Sequence, residues 1–141
     1  KKLMKTDLWL VCLRLANLIY FLNVSDAENA MHRILDEDFS VSPQIVTDQI
    51  AGVAAAGFKS IICNRPDGES ADQTPYAVIE AAALEAGLPI RNIPVVSGAI
   101  TEDNVRDMKA ALAELPKPIY AYCRSGARCT NLYMLVQQLP D

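Results

Sequence analysis

The chain has 141 residues, 51% of them apolar and 21% charged, the composition of one ordinary globular domain with a single core. Thirteen Lys plus Arg stand against seventeen Asp plus Glu, a net charge of −4 with a sequence pI near 4.9; this excludes a broad electrostatic footprint for nucleic acid or anionic membrane, so any anion site must be local. The one histidine, His32, leaves almost nothing from which to build a His-rich zinc site, a Ser-His-Asp triad or imidazole acid catalysis.

Residues 1–30 form a first region, carrying Lys1, Lys2, Lys5 and Arg14 against Asp7, Asp26 and Glu28, whereas the remainder is acidic. Its apolar stretch, Leu8 to Leu22 (LWLVCLRLANLIYFL), is shorter than the ~20 residues of a spanning helix and is broken by Arg14 and Asn17. Three readings stay open. Val11, Leu15, Leu18 and Leu22 recur at helical spacing, as in an amphipathic helix that packs on the body. Lysines before an apolar stretch, with Ser25-Asp26-Ala27 as a small-x-small site, fit a secretory leader, although Arg14 lies inside its core. The third reading is an extension ahead of Met31 that adds nothing to function.

From Met31 to Asp141 the chain alternates strands and helices. Phe39 to Ile45 is a short strand, and Thr47 is the expected N-cap of an alanine-rich helix that ends at Gly57. Phe58 to Asn64, FKSIICN, is a continuous apolar run of strand length closed by the turn signal Pro66-Asp67-Gly68. Tyr76 to Ala86 is helical and stops at Gly87, and Pro89 to Val96 is another strand. Thr101, with Glu102 and Asp103 behind it, caps a helix running to about Leu115. Pro118 to Tyr122 is the last strand and Ala127 to Gln138 the last helix. This order predicts an α/β fold of three layers, a mostly parallel open sheet flanked by helices, with its site beyond the C-terminal strand ends.

Four cysteines, Cys12, Cys63, Cys123 and Cys129, are too few and too unevenly spaced for a disulfide framework, and no C-x-x-C pair suggests zinc or dithiol redox work. Free thiols in a reducing compartment follow, hence a cytoplasmic location, or a secreted or periplasmic one if residues 1–27 are a leader. Cys63, amid apolar neighbours in mid-strand, and Cys12 read as packing. Cys123 differs. In PIYAYCRSGARCT a buried strand delivers it to the sheet edge, and Arg124-Ser125-Gly126-Ala127-Arg128 turns directly into a helix. Successive backbone N–H groups and the helix dipole make such a turn an anion cradle, and Gly126 opens conformations closed to other residues. A sulfur at its centre has its pKa lowered and becomes a nucleophile, while Arg128 supplies a bidentate fork for a tetrahedral oxyanion.

The segments FSVSPQI, AAAGFKSIICNRPDGE, IRNIPVVSG, ITEDNV and AYCRSGARC, in that order over residues 31 to 138, closely resemble the phosphatase-like domain of the beta-lactamase-hydrolase-like protein family. The resemblance implies a fold related to the tyrosine and dual-specificity phosphatases, with the cysteine loop after a central strand. Against the general loop H-C-x-x-G-x-x-R, Gly126 fits, but Arg128 stands one place early, Cys129 takes the arginine's place and Tyr122 that of the histidine. The string CRSGAR is instead similar to the loop of bacterial rhodaneses, sulfurtransferases with a persulfide on the cysteine, while the rhodanese G-H-I-x-G-A body segment is absent.

Splitting an alkyl phosphate needs an acid for the leaving alkoxide, and sulfur transfer to a soft acceptor does not. In the fold relatives that acid lies on the loop after the preceding strand, here Ser97 to Thr101, whose nearest carboxylates are Glu102 and Asp103. Glu102 and Asp103 are the acid candidates, Asp103 foremost, with first-turn helix electrostatics as the competing explanation of both. Asp67 reads as either a further acid candidate, since its loop also leaves the C-terminal end of a strand, or turn chemistry, and Arg65 as either a second anion clamp or a surface ion pair. The expected anion site is therefore Arg124, Ser125, Gly126, Ala127, Arg128 and Arg65 around the nucleophile Cys123. The expected function is a cysteine-dependent phosphatase-like hydrolase working through a phosphocysteine on a small phosphorylated substrate. The alternatives are a sulfurtransferase with a persulfide on Cys123 and a sulfur-containing substrate, or a non-catalytic anion-binding module. No metal or other cofactor, nucleic acid or membrane is expected, and the oligomeric state is left open. Cys129, six residues after Cys123, reads either as a resolving thiol or as a small apolar packing residue.

Overall fold

A computed structural model describes residues 32–140, and the readings made for residues 1–30 lie outside them. The strands are β1 (Arg33–Asp36), β2 (Phe39–Ser42), β3 (Ser60–Cys63), β4 (Ile90–Asn92) and β5 (Ile119–Tyr122). The helices are α1 (Ile50–Ala55), α2 (Tyr76–Glu85), α3 (Glu102–Glu114) and α4 (Ala127–Gln138). One sheet has the order β1-β2-β5-β3-β4. Strands β2, β5, β3 and β4 are parallel, and β1 alone runs antiparallel, beside β2.

Alternation along the central strand sorts the core into two halves. Ile119, Ala121 and Cys123 face a cluster with Met108 and Ala111 of α3 and Cys129, Leu132 and Val136 of α4. Tyr120 and Tyr122 face the other, with Ile50 and Val53 of α1 and Ile79 and Ala83 of α2. Spacings of three and four put one side of α4 into the sheet, and each fully buried Leu or Ile contributes about 1.5–3 kcal/mol. The three-layer, mostly parallel sheet expected from the alternating pattern is the observed one.

Boundaries differ from the expectation in a consistent way. The apolar runs continue past the hydrogen-bonded ladder, so Ile45 and Val95 are buried without lying in a strand. Thr47 does not cap α1. It opens a 3-10 turn, Thr47–Gln49, in which Gln49 Oε1 accepts from the Val46 amide at 2.8 Å. Thr101 does cap α3, accepting from the Asn104 amide at 3.1 Å while Asn104 Oδ1 accepts from the Thr101 amide at 3.0 Å. Strand β1 carries no sequence signal, because its residues are mostly exposed and Ile34 is 67% exposed.

Register places the site. Ser42 and Cys63 both pair with Tyr122, so β2, β5 and β3 end level with one another. Their continuations, Gln44, Cys123 to Arg128 and Asn64 to Glu69, therefore meet at one edge, where parallel sheets place their ligands. No helix among the described residues is long and apolar enough to cross a membrane.

Candidate active site

Cys123 follows β5 directly, is fully buried, and is anchored by its amide to the Ser42 carbonyl at 3.3 Å. Its Sγ accepts from the Gly126 amide at 3.0 Å. Gly126 stands at φ 93°, the left-handed region, and turns the chain from the loop into α4. The Cys129 side chain, and the amides of Cys129, Ser125 and Gly126, lower the Cys123 pKa to about 5 against the opposing effect of burial. Cys129 shifts the other way. Burial first, and the neighbouring Cys123 sulfur second, push it well above the ordinary thiol range, so Cys129 keeps its proton and donates it towards a Cys123 thiolate.

The loop amides divide between the sulfur and the loop itself. Ala127 donates its amide to Ser125 Oγ at 3.3 Å, and the Cys129 amide turns to the sulfur instead. Arg124 and Ser125 are exposed and form the outer rim, with the Arg124 carbonyl tied to the Gln44 amide at 3.3 Å. Cys129 packs in the core, the packing reading of this residue, and its side chain and amide also reach the Cys123 sulfur.

Both arginines depart from the expected picture. Arg128 is not simply an open fork. Nη1 and Nη2 donate to the two Glu69 carboxylate oxygens at 2.6 and 2.7 Å, and Nη1 also donates to the Val95 carbonyl at 2.9 Å. Arg65 is not at the surface: it is 4% exposed, and its Nε donates to Glu69 Oε1 at 2.9 Å. Its Nη1 reaches Gln44 Oε1 at 3.1 Å and its Nη2 reaches Ser70 Oγ at 3.3 Å. A buried guanidinium requires such partners, because leaving it unpaired costs several kcal/mol, on the order of 3–5. Between the two arginines the Glu69 carboxyl is held at about 2, chiefly by Arg128, and is ionised at any working pH.

Glu69 is the residue that sequence reasoning missed. Its only signal was the i,i+4 spacing from Arg65 across the Pro66-Asp67-Gly68 turn, and nothing local announced Arg128 as a partner 59 residues away. Asp67 accepts from the Tyr76 amide at 2.8 Å, a bond to the first residue of α2 rather than one within its own turn. Asp103 is exposed and pairs with Arg106 on its own helix at 2.9 Å; no hydrogen bond or ion pair joins it to the cysteine loop among the described residues. Cys63 is buried on the opposite face of the sheet with a raised pKa, mainly from burial, as expected of a packing thiol.

Residues 31–140 match the profile of the phosphatase-like domain of beta-lactamase hydrolase-like protein. The chain belongs to that family. Among curated proteins it is 35% identical over 105 residues to the beta-lactamase hydrolase-like protein of Agrobacterium fabrum, and 36% identical over 101 residues to that of Xylella fastidiosa. These stretches are 74% and 72% of this chain but 24% and 23% of the relatives, so the family domain corresponds to about a quarter of each longer protein. A proposed phosphatase from Neisseria meningitidis superimposes with a TM-score of 0.68 at 32% identity, covering 76% of this chain and 78% of that one. A proposed phosphatase from Shewanella putrefaciens gives 0.71 at 21% identity over 85% and 80% of the two chains. A mutant form of Tk-PTP gives 0.57 at 15% identity over 69% and 63%. The last two establish the fold, the phosphatase-like α/β arrangement. By family and fold the domain is phosphatase-like.

Proposed function

We propose that the domain is a cysteine-dependent phosphatase-like hydrolase acting on a small phosphorylated substrate through a phosphocysteine. The observation that carries this reading is the Cys123 sulfur at the floor of an amide loop, accepting from the Gly126 amide at 3.0 Å, with Arg128 on the first turn of the following helix. The thiolate attacks phosphorus, the P–O bond to the leaving group breaks, and that group departs with the bonding pair. Water then attacks phosphorus, the P–S bond breaks, and phosphate and the thiolate are restored. The loop amides and Arg128 stabilise charge on the equatorial oxygens throughout.

Glu69 is held ionised and Asp103 pairs with Arg106 on its own helix, so neither supplies a proton to the leaving group in this reading. Aryl phosphates, whose phenolates leave unaided, should therefore turn over far faster than alkyl phosphates. The same lack of an acid favours a second reading, sulfur transfer through a Cys123 persulfide, which needs none. Paired assays on one sample, aryl phosphate release and thiocyanate formation from thiosulfate and cyanide, separate the two. Wild-type activity in the first and its loss in Cys123→Ser supports the hydrolase. Activity in the second alone replaces it with the transferase, and equal aryl and alkyl rates refute the missing acid.

A further inference from the structure

We infer that Cys129 is the resolving thiol of Cys123: when a hydroperoxide oxidises the nucleophile, Cys129 closes a disulfide with it that blocks further oxidation and that thiol reductants reopen. Two elements aim the sulfurs at each other. Alternation along β5 turns Ile119, Ala121 and Cys123 into the layer shared with α3 and α4, and spacings of three and four turn Cys129, Leu132 and Val136 of α4 into the same layer. Gly126 folds the chain between them, so the Cys123 sulfur lies 3.0 Å from the Gly126 amide, and Cys129 stands three residues on in the first turn of the helix. The Cys129 side chain and amide both reach that sulfur. Both cysteines are fully buried in one core cluster, whereas Cys63, the third free thiol among the described residues, is buried in the cluster on the opposite face of the sheet. Sulfurs in contact need only side-chain rotation to close to the ~2 Å of a disulfide, and thiols on opposite faces of a sheet cannot converge. The fold therefore specifies the pair.

The electrons balance with hydrogen peroxide as the oxidant. The Cys123 thiolate attacks one peroxide oxygen, the O–O bond breaks and hydroxide departs; the sulfur is oxidised by two electrons to the sulfenic acid and the peroxide is reduced. Cys129 then attacks that sulfur. The S–S bond forms, the S–O bond breaks, and the hydroxyl leaves as water with the Cys129 proton. The thiolate is the form that peroxides oxidise, and the loop holds Cys123 in it. After burial, what keeps the proton on Cys129 is its contact with the charged Cys123 sulfur. That charge is gone once the sulfur is a sulfenic acid, so Cys129 becomes more reactive when its partner appears. Without a second thiol the sulfenic acid passes on to sulfinic and sulfonic acids, which thiols do not reduce. The inference rests on the hydrolase reading in one respect, that reactants from solvent reach the sulfur, and hydrogen peroxide is smaller than the phosphoryl group that reading brings there.

A peptide map of the oxidised full chain tests this. Trypsin cuts after Arg124 and Arg128, so Cys123 falls in the peptide 110–124 and Cys129 in the peptide 129–141. After stoichiometric hydrogen peroxide the non-reducing digest should join these two peptides, the intact mass should fall by about 2 Da for the two hydrogens lost, and dithiothreitol should separate the peptides again. Cys129→Ser should instead gain oxygen at Cys123, and the share of Cys123 that iodoacetamide labels after dithiothreitol should fall severalfold below wild type. Cys129→Ala, which puts no hydroxyl into the core, should behave the same way, and Cys63→Ala should cross-link like the wild type. A Cys123 that stays reduced, a cross-link from it to Cys63 or Cys12 instead, or wild-type recovery in both Cys129 variants overturns the inference. None of these readouts uses turnover. A protein that forms the cross-link but releases no phosphate from an aryl ester would refute the hydrolase reading and leave this one standing.

Discussion

Replacing Cys123 by serine removes the one thiol whose ionisation is tied to the folded loop, and the consequence is a pH-dependent stability difference. The thiol moves from an ordinary value of 9.0 to about 5 on folding. A group with a depressed folded pKa adds stability that is complete above the unfolded value and disappears as pH falls through the folded one. The window is therefore pH 9 down to pH 5. Each unit inside it is worth about 1.4 kcal/mol, so the wild type should gain roughly 3 kcal/mol over Cys123→Ser between pH 5 and 7, and about 5 kcal/mol by pH 9. Cys123 is fully buried, so solvent screening does not discount the figure much. Urea unfolding of both proteins under reducing conditions, at half-unit steps from pH 5 to 9, reads the difference directly. Cys63 and Cys129, whose pKa values are raised chiefly by burial, destabilise the fold only as pH rises past about 9, so the comparison is cleanest between pH 5 and 8. A difference that stays flat from pH 5 to 9 would refute the thiolate, and with it the nucleophile.

Three further outcomes follow from the same contacts. Cys129→Ala deletes the largest influence holding the Cys123 thiol down, so the midpoint of its iodoacetamide pH–rate profile should move upward; an unchanged midpoint would assign the effect to the amides alone. Gly126→Ala should cost about 1–2 kcal/mol in urea unfolding; φ is 93° and the added Cβ would sit 3.5 Å from the Ser42 carbonyl carbon, so the strain is conformational and a much larger loss would contradict it. Asp103→Asn should leave aryl phosphate turnover within about twofold, since its carboxylate faces Arg106 in the exposed first turn of α3, and a tenfold fall would restore it as the acid.

Much of the site was legible in sequence because it is local. An apolar strand, a cysteine, a glycine three residues on and a helix immediately after fix one another within a dozen residues, and period-2 alternation along PIYAYC already assigns Cys123 and Tyr122 to opposite faces. The alternating order of strands and helices likewise dictates a parallel sheet, because parallel neighbours need helical crossovers. What tertiary structure decided is which strand ends become neighbours. The order β2-β5-β3 brings Gln44, the cysteine loop and Arg65 to Glu69 together from segments far apart in the chain. The sequence pattern does not show what Arg65 and Arg128 pair with, because an arginine's partner is set by the nearest carboxylate in space. That carboxylate belongs to Glu69, whose 59-residue separation from Arg128 leaves no trace in local pattern. Strand β1 escaped for the complementary reason, since an edge strand with little to bury has no periodicity to display and exists only because β2 offers it a ladder.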